Sequence, residues 1–206
     1  MRRRVLIGGA ATILLAPTFG FAQRELQRTP LQTLGPFYPP TPPEEDDHDL
    51  TRVKAASGPA KGELTSVSGV VFDTQGRARR DVRVEIWQCD ANGRYHHPMD
   101  TGAAARDPNF QGFGATRTSA AGEYSFRTIK PVPYPGRTPH IHFKLEGGGV
   151  ATFVTQMYIA GHPGNASDGL LVSVRDKRAR DSLLAPFVPD GRGGWTVRWD
   201  IVVQAA

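Results

Sequence analysis

Two histidines, His140 and His142, stand two residues apart, and a phenol and a guanidinium, Tyr134 and Arg137, complete a set within nine residues. In a strand, side chains alternate between faces, so both imidazoles share one side while Ile141, Phe143 and Leu145 take the other. The apolar side makes core and the histidine side makes a site. The run before them, PVPYPGRTP, holds four prolines. Proline fixes φ and removes a backbone donor, so this segment reads as a stiff loop that delivers Tyr134 and Arg137 to the strand end. Imidazole suits zinc, copper, iron and nickel alike, and the pair by itself selects no metal. A phenolate is a harder anion and favours ferric iron.

The elements that position these residues read as short strands. From Val67 the chain runs VSGVVFD, DVRVEIWQCD, EYSFR, HIHFKLE, TFVTQMYI and WTVRWDIVV, separated by turn residues. Val82, Val84 and Ile86 alternate with Arg83, Glu85 and Trp87, the pattern of a half-buried strand. In the last run Trp195, Val197, Trp199 and Ile201 share a face. Glycine and proline are frequent, 23 and 17 of 206 residues, and helix is scarce, with RDKRARDSLL (175–184) the one credible piece. The expected fold is all-β, an antiparallel β-sandwich with long active-site loops and little helix. The long connection from His97 to Thr118 is expected to be functional. Gln156, opposite Phe153 and Thr155 in the alternation, is placed to face the cleft.

The chain begins MRRRVLIGGAATILLAPTFGFAQ, a basic start, an apolar stretch and a small-residue exit at Gly20-Phe21-Ala22. This reads as an export signal over residues 1–22, of the twin-arginine kind given Arg2, Arg3 and Arg4. The stretch is short and interrupted for a membrane span, so no stable span is expected in the mature chain, and the expected location is periplasmic or secreted. Without the signal the formal net charge drops from +5 to +2. The remaining basic residues are scattered without interleaved aromatics, which gives no nucleic-acid signal. Residues 23–66, rich in proline and acid, are expected as an extended arm over the domain, and 67–206 as the sandwich. His48, within EEDDHDL, reads as solvated. The single cysteine, Cys89, rules out an intrachain disulfide and reads as a packed thiol.

GPFYPP from Gly35, GRYHH at 93–97, the stretch from Asp107 to Phe143 ending TIKPVPYPGRTPHIHF, and TQMYIAGHP at 155–163 together resemble the intradiol ring-cleavage dioxygenases. The pattern is most like the iron-bearing (beta) subunit of the protocatechuate 3,4-dioxygenases. The resemblance implies non-haem Fe(III) held by Tyr95, Tyr134, His140 and His142. It also implies an active-site arginine at Arg137, a pocket residue at Gln156, and Tyr134 as the ligand that leaves when substrate binds. The implied partners are a catechol-type small molecule and O2, and the implied product is a cis,cis-muconate; a homo-oligomer is compatible with this reading. His96 and His97 match no ligand and read as rim or solvated residues. The run from Tyr134 to His140 is shorter than in typical protocatechuate enzymes, which implies a reduced pocket wall beside the ring substituent.

Two other classes compete. The stretch SGVVFDTQGRARRDVRVEIW also resembles the opening of transthyretin-like modules, which would make the chain a non-catalytic β-sandwich binding module. That reading leaves Tyr134, Arg137, His140 and His142 unexplained. A zinc hydrolase built on the histidine pair has no evident general base nearby and no use for two tyrosines.

Overall fold

Alternation builds two sheets that bury their apolar sides against each other. The computed structural model describes residues 25–41 and 43–206; the signal read from residues 1–22 lies outside them. The strands are β1 (Leu64–Asp73), β2 (Val82–Trp87), β3 (Phe113–Arg117), β4 (Glu123–Ile129), β5 (His140–Gly147), β6 (Val150–Ile159), β7 (Leu184–Ala185), β8 (Val188–Pro189), β9 (Trp195–Arg198) and β10 (Ile201–Val203). One sheet has β4 on one edge of β1 and β9 and β10 on the other, with β8 beyond β9; the second runs β3-β2-β5-β6-β7. Val67, Val71, Phe126, Val197 and Ile201 from the first meet Val84, Ile86, Ile141, Phe143 and Leu145 from the second in one core. Phe143 packs its ring across the gap on Trp199 at 5.0 Å. Burying a phenylalanine fully contributes about 1.5–3 kcal/mol, so the odd-numbered face of β5 anchors the strand that carries the histidines.

The all-β sandwich matches the expectation, and the structure refines its pairing. The contacts of β1 with β9 and β10, and of β6 with β7, are parallel. Parallel neighbours need a long crossover instead of a hairpin, and the chain supplies one after β6 through two short helices, α1 (Gly169–Ser173) and α2 (Lys177–Asp181). The helical piece expected over 175–184 is α2, shorter than that run, while α1, of the same five-residue length, carried no signal in the sequence. The run WTVRWDIVV is two strands. It breaks at Trp199-Asp200, where the Trp199 carbonyl fills the space beside Gly69: a Cβ there would lie 1.9 Å from the oxygen. The connection after His97 contains β3, which the sequence leaves unmarked because Gly114 and Ala115 have weak strand preference. Its register with Ile86 and Glu85 makes it a strand.

Residues before β1 cross from one sheet to the other. Leu26 and Thr29 donate their N–H groups to the carbonyls of Thr74 and Val202, and Gln32 donates to Val154. Further along, Tyr38 donates its hydroxyl to Glu85 at 2.8 Å and sets its ring edge-on to Trp87 at 5.0 Å. These contacts draw the GPFYPP segment over the outer face of the second sheet. No helix among the described residues is long and apolar enough to cross a membrane.

Candidate metal centre

The site lies on the outer face of the second sheet, with the core directly behind it. His140 and His142 are both buried and their Nε2 atoms are 3.2 Å apart. The Nδ1 of His140 lies 2.7 Å from the carbonyl oxygen of Thr138. A carbonyl oxygen only accepts, so Nδ1 carries the proton and Nε2 presents a lone pair. Metal-binding histidines are commonly held in this tautomer by a carbonyl or carboxylate behind the ring. The His142 ring stacks on Trp87, and its Nδ1 has no protein partner. Burial, with Arg137 adding to it, pushes the His140 pKa down to about 4. Burial and the neighbouring His140 and Arg137 push His142 well below the ordinary imidazole value. Two neutral imidazoles therefore face one point, and either a shared proton or a cation must lie between them.

Two phenols close the other sides. Tyr134 lies 5.5 Å from the His140 ring, Tyr95 lies 6.2 Å from the His142 ring, and the two tyrosines meet edge to face at 5.5 Å. Tyr95 comes from a loop braced by carboxylates. Asp90 accepts the N–H groups of Asn92 and Arg94 at 2.8 and 3.0 Å, and Asp100 accepts that of Tyr95 at 2.6 Å. Gly93, at φ 72°, makes the turn between them. Tyr134 opens a turn in which Arg137 donates its N–H to the Tyr134 carbonyl at 2.9 Å. Pro135 and Gly136, the latter at φ 81°, suit the two central positions of a type II turn. Phe37 stacks on Tyr95 at 4.5 Å, and the hydroxyl of Tyr95 is buried without a partner. Burial, then the adjacent Tyr134 phenol, raises the Tyr95 pKa well above its usual value. Burial also raises Tyr134, although Arg137 works against it.

Arg137 and Gln156 do meet beside these rings. The guanidinium donates Nη2 to Gln156 Oε1 at 2.6 Å and to the Tyr158 hydroxyl at 3.2 Å. Its Nη1 approaches the Tyr134 hydroxyl at 3.5 Å, and its Nε donates to Asp168 at 2.8 Å. Gln156 in turn donates to the Thr33 carbonyl at 3.0 Å. All six residues singled out from the sequence thus gather in one place. Among the described residues no three His, Cys, Asp or Glu side chains gather where a metal ion would sit. The two phenols stand beside the histidine pair, so an ion held there could take oxygen donors from Tyr95 and Tyr134, a set that suits a hard trivalent ion better than zinc.

His97, expected at the rim or in solvent, is buried, with Nδ1 accepting from the Met99 N–H at 3.2 Å. His96 and His48 are exposed. Cys89 packs beside Trp87 and Tyr95, and burial pushes its thiol up to about 12. Four contributors escaped the sequence: Trp87, Phe37, Tyr158 and Asp168. Tyr158 shares the parity of Gln156 and was readable from the alternation; Asp168 lies 26 residues beyond His142 and carried no signal. A cleft of about 470 Å³ opens beside the site, lined by Phe37, Arg94, Tyr95, Met99, Pro133 and Tyr134 among others.

A family model described as Dioxygenase matches residues 34–205. The chain belongs to the intradiol ring-cleavage dioxygenase family. It is 43% identical over 152 residues to the protocatechuate 3,4-dioxygenase beta chain of Burkholderia cepacia, a match that covers 70% of this chain and 64% of that one. It resembles the dioxygenase domain of a dioxygenase carbohydrate-binding protein fusion from Streptomyces sp. SirexAA-E, with TM-score 0.65 and 31% identity over 87% of this chain and 100% of that one. An intradiol ring-cleavage dioxygenase from Tetranychus urticae shares the fold, with TM-score 0.68 at 21% identity over 87% of this chain and 95% of that one.

Proposed function

We propose that this chain is a non-haem Fe(III) dioxygenase that cleaves a catechol ring between its two hydroxyl-bearing carbons and incorporates both atoms of O2 to give a cis,cis-muconate. The observation that carries this reading is the His140 tautomer. Its Nδ1 is tied to the Thr138 carbonyl, so its Nε2 lone pair points at His142 Nε2 beside the Tyr95 and Tyr134 rings. Tyr95, Tyr134, His140 and His142 would hold the ferric ion, which when bound would supply the Lewis acidity that draws electron density from a catecholate and opens its ring to O2. With a cation bound the local acid–base logic would reverse, and the Tyr95 and Tyr134 phenols, which burial otherwise keeps protonated, would be phenolates.

The remaining steps belong to side chains. Tyr134 is only half-buried whereas Tyr95 is buried, so Tyr134 is the phenolate free to leave and take a proton from the incoming catechol. Arg137, a permanent cation beside Tyr134, stabilises negative charge as the substrate ketonises. Gln156 holds the guanidinium in that direction. Phe37 and Met99 line the cleft with apolar surface, and its volume suits a single aromatic ring.

Product analysis tests the assignment. Iron-loaded protein given catechol, protocatechuate and hydroxyquinol with O2 should yield a cis,cis-muconate or its substituted form by mass spectrometry. Extradiol semialdehydes, or no consumption of any of the three, overturns it. The same reading takes residues 1–22 as a twin-arginine export signal, followed by an arm and the catalytic sandwich. Residues 1–30 fused to a reporter should be exported, and replacing Arg2, Arg3 and Arg4 with lysine should stop it; normal export of the lysine form overturns that assignment.

A further inference from the structure

Asp168 touches none of the four rings, yet its carboxylate is joined to both halves of the site. The side chain is buried. Its Oδ2 accepts from Arg137 Nε at 2.8 Å and from the Thr138 N–H at 3.0 Å. Its Oδ1 accepts the N–H groups of Leu170 and Leu171 at 3.1 and 3.0 Å, closing the start of α1. Each oxygen therefore takes two bonds, which leaves the carboxylate little freedom to rotate. Thr138 is the residue whose carbonyl sets the His140 tautomer. One buried oxygen thus orients the guanidinium directly and the imidazole through one intervening residue.

We infer that Asp168 is a positioning residue for ring cleavage: it aims the Arg137 guanidinium at the charge that develops on the substrate. This rests on the proposed function. Arg137 alone has several rotatable bonds; Gln156 and Tyr158 offer it neutral oxygens, and the Tyr134 oxygen lies 3.5 Å from Nη1, at the limit of a hydrogen bond. Asp168 supplies the one carboxylate contact, on Nε at 2.8 Å, where it fixes the plane of the group and leaves the Nη atoms to the site. Preorganised charge is effective in catalysis because it needs no rearrangement as the reaction proceeds.

The test is a double-mutant cycle with Asp168→Asn and Arg137→Ala, read on kcat and KM for catechol. Asparagine caps a helix about as well as aspartate, but its amide nitrogen cannot accept from Arg137. Asp168→Asn should lower kcat about tenfold, the size of one charge-assisted hydrogen bond, with KM within about twofold. In the Arg137→Ala background it should lower kcat no further, since the group it aims is gone. Equal, additive losses in both backgrounds, or unchanged kcat in Asp168→Asn, overturn the inference while leaving the ring-cleavage assignment intact. A second measurement needs neither turnover nor a folded variant: nitrogen-15 NMR of the wild-type protein, loaded with diamagnetic gallium(III) in place of paramagnetic ferric iron, should show a slowly exchanging Arg137 Nε–H. Rapid exchange of that proton overturns the inference, and wild-type protein that consumes none of catechol, protocatechuate and hydroxyquinol overturns the function, with the NMR result still deciding the placement of Arg137.

Discussion

Trp87 and His142 lie face to face, with ring centroids 4.7 Å apart and planes 10° from parallel. They are direct partners in the register between β2 and β5, so the sheet itself sets the stack and the indole fixes the imidazole plane. Trp87 does this with its own Nε1 buried and unbonded. Trp87→Phe should keep a ring under His142 and remove the orphaned N–H, so its stability should stay within about 1.5 kcal/mol of wild type. Trp87→Ala should cost about 3–5 kcal/mol and weaken metal retention. Urea unfolding and metal analysis after dialysis check both; an alanine form as stable and as metal-rich as wild type contradicts the argument.

The donor set predicts a coloured protein. Phenolate bound to ferric iron absorbs in the visible, so protein purified from iron-replete cells should carry one iron per chain and a visible band. His140→Ala should lose both iron and colour, and chelation of wild type under reducing conditions should do the same reversibly. Zinc in place of iron in a colourless protein would point instead to the hydrolase reading.

Substrate choice follows from how Arg94 is engaged. Among the described residues lining the cleft it is the one cation, and its Nε donates to Asp100 at 2.8 Å while Nη2 bonds the Asp100 carbonyl at 3.0 Å. A ring carboxylate entering here meets a cation that is already neutralised. Catechol should therefore have the higher kcat/KM, with protocatechuate lower by about tenfold or more, the scale of one unmade charged hydrogen bond. Asp100→Asn should narrow that ratio by freeing the guanidinium. Steady-state kinetics on both substrates decide it, and a preference for protocatechuate in wild type refutes it.

Acid should act through Asp168. Burial favours its protonated form, but Arg137 and the N–H groups of Leu171 and Thr138 outweigh burial and hold its pKa below the ordinary value. A carboxylate depressed in the folded state contributes fully above the unfolded pKa, near 4, and loses that contribution as pH falls through the folded pKa. The stability gap between wild type and Asp168→Asn should be about 1–3 kcal/mol at pH 7 and should shrink below about pH 4. Urea titrations at several pH values measure it. A gap that widens on acidification contradicts the sign.

Much of the site was readable because its information is local. The spacing of His140 and His142 needs only the two-residue period of a strand to place both on one face, and Pro135-Gly136 needs only turn chemistry to present Tyr134 and Arg137. Gln156 follows from the same period on the next strand, and Tyr158, which shares its parity, went unread there. What stayed hidden depends on contacts between distant segments. His97 has no local pattern that distinguishes a buried histidine from a surface one; its burial depends on Phe37, 60 residues earlier, whose ring meets it edge-on at 5.9 Å.

By itself the sequence determined the all-β sandwich, the face of β5 that bears the imidazoles, and the set of phenols, imidazoles and guanidinium available for chemistry. Those are matters of periodicity and residue type. Tertiary structure alone decided that β9 and β10 run parallel to β1, since pairing direction depends on the route of the crossover and not on side-chain alternation. It also decided which proton His140 holds, because the Thr138 carbonyl must be brought behind the ring. And it decided the aim of Arg137, because the carboxylate that holds it caps α1 from outside the helix, 31 residues further along the chain, and reaches the guanidinium only through the fold.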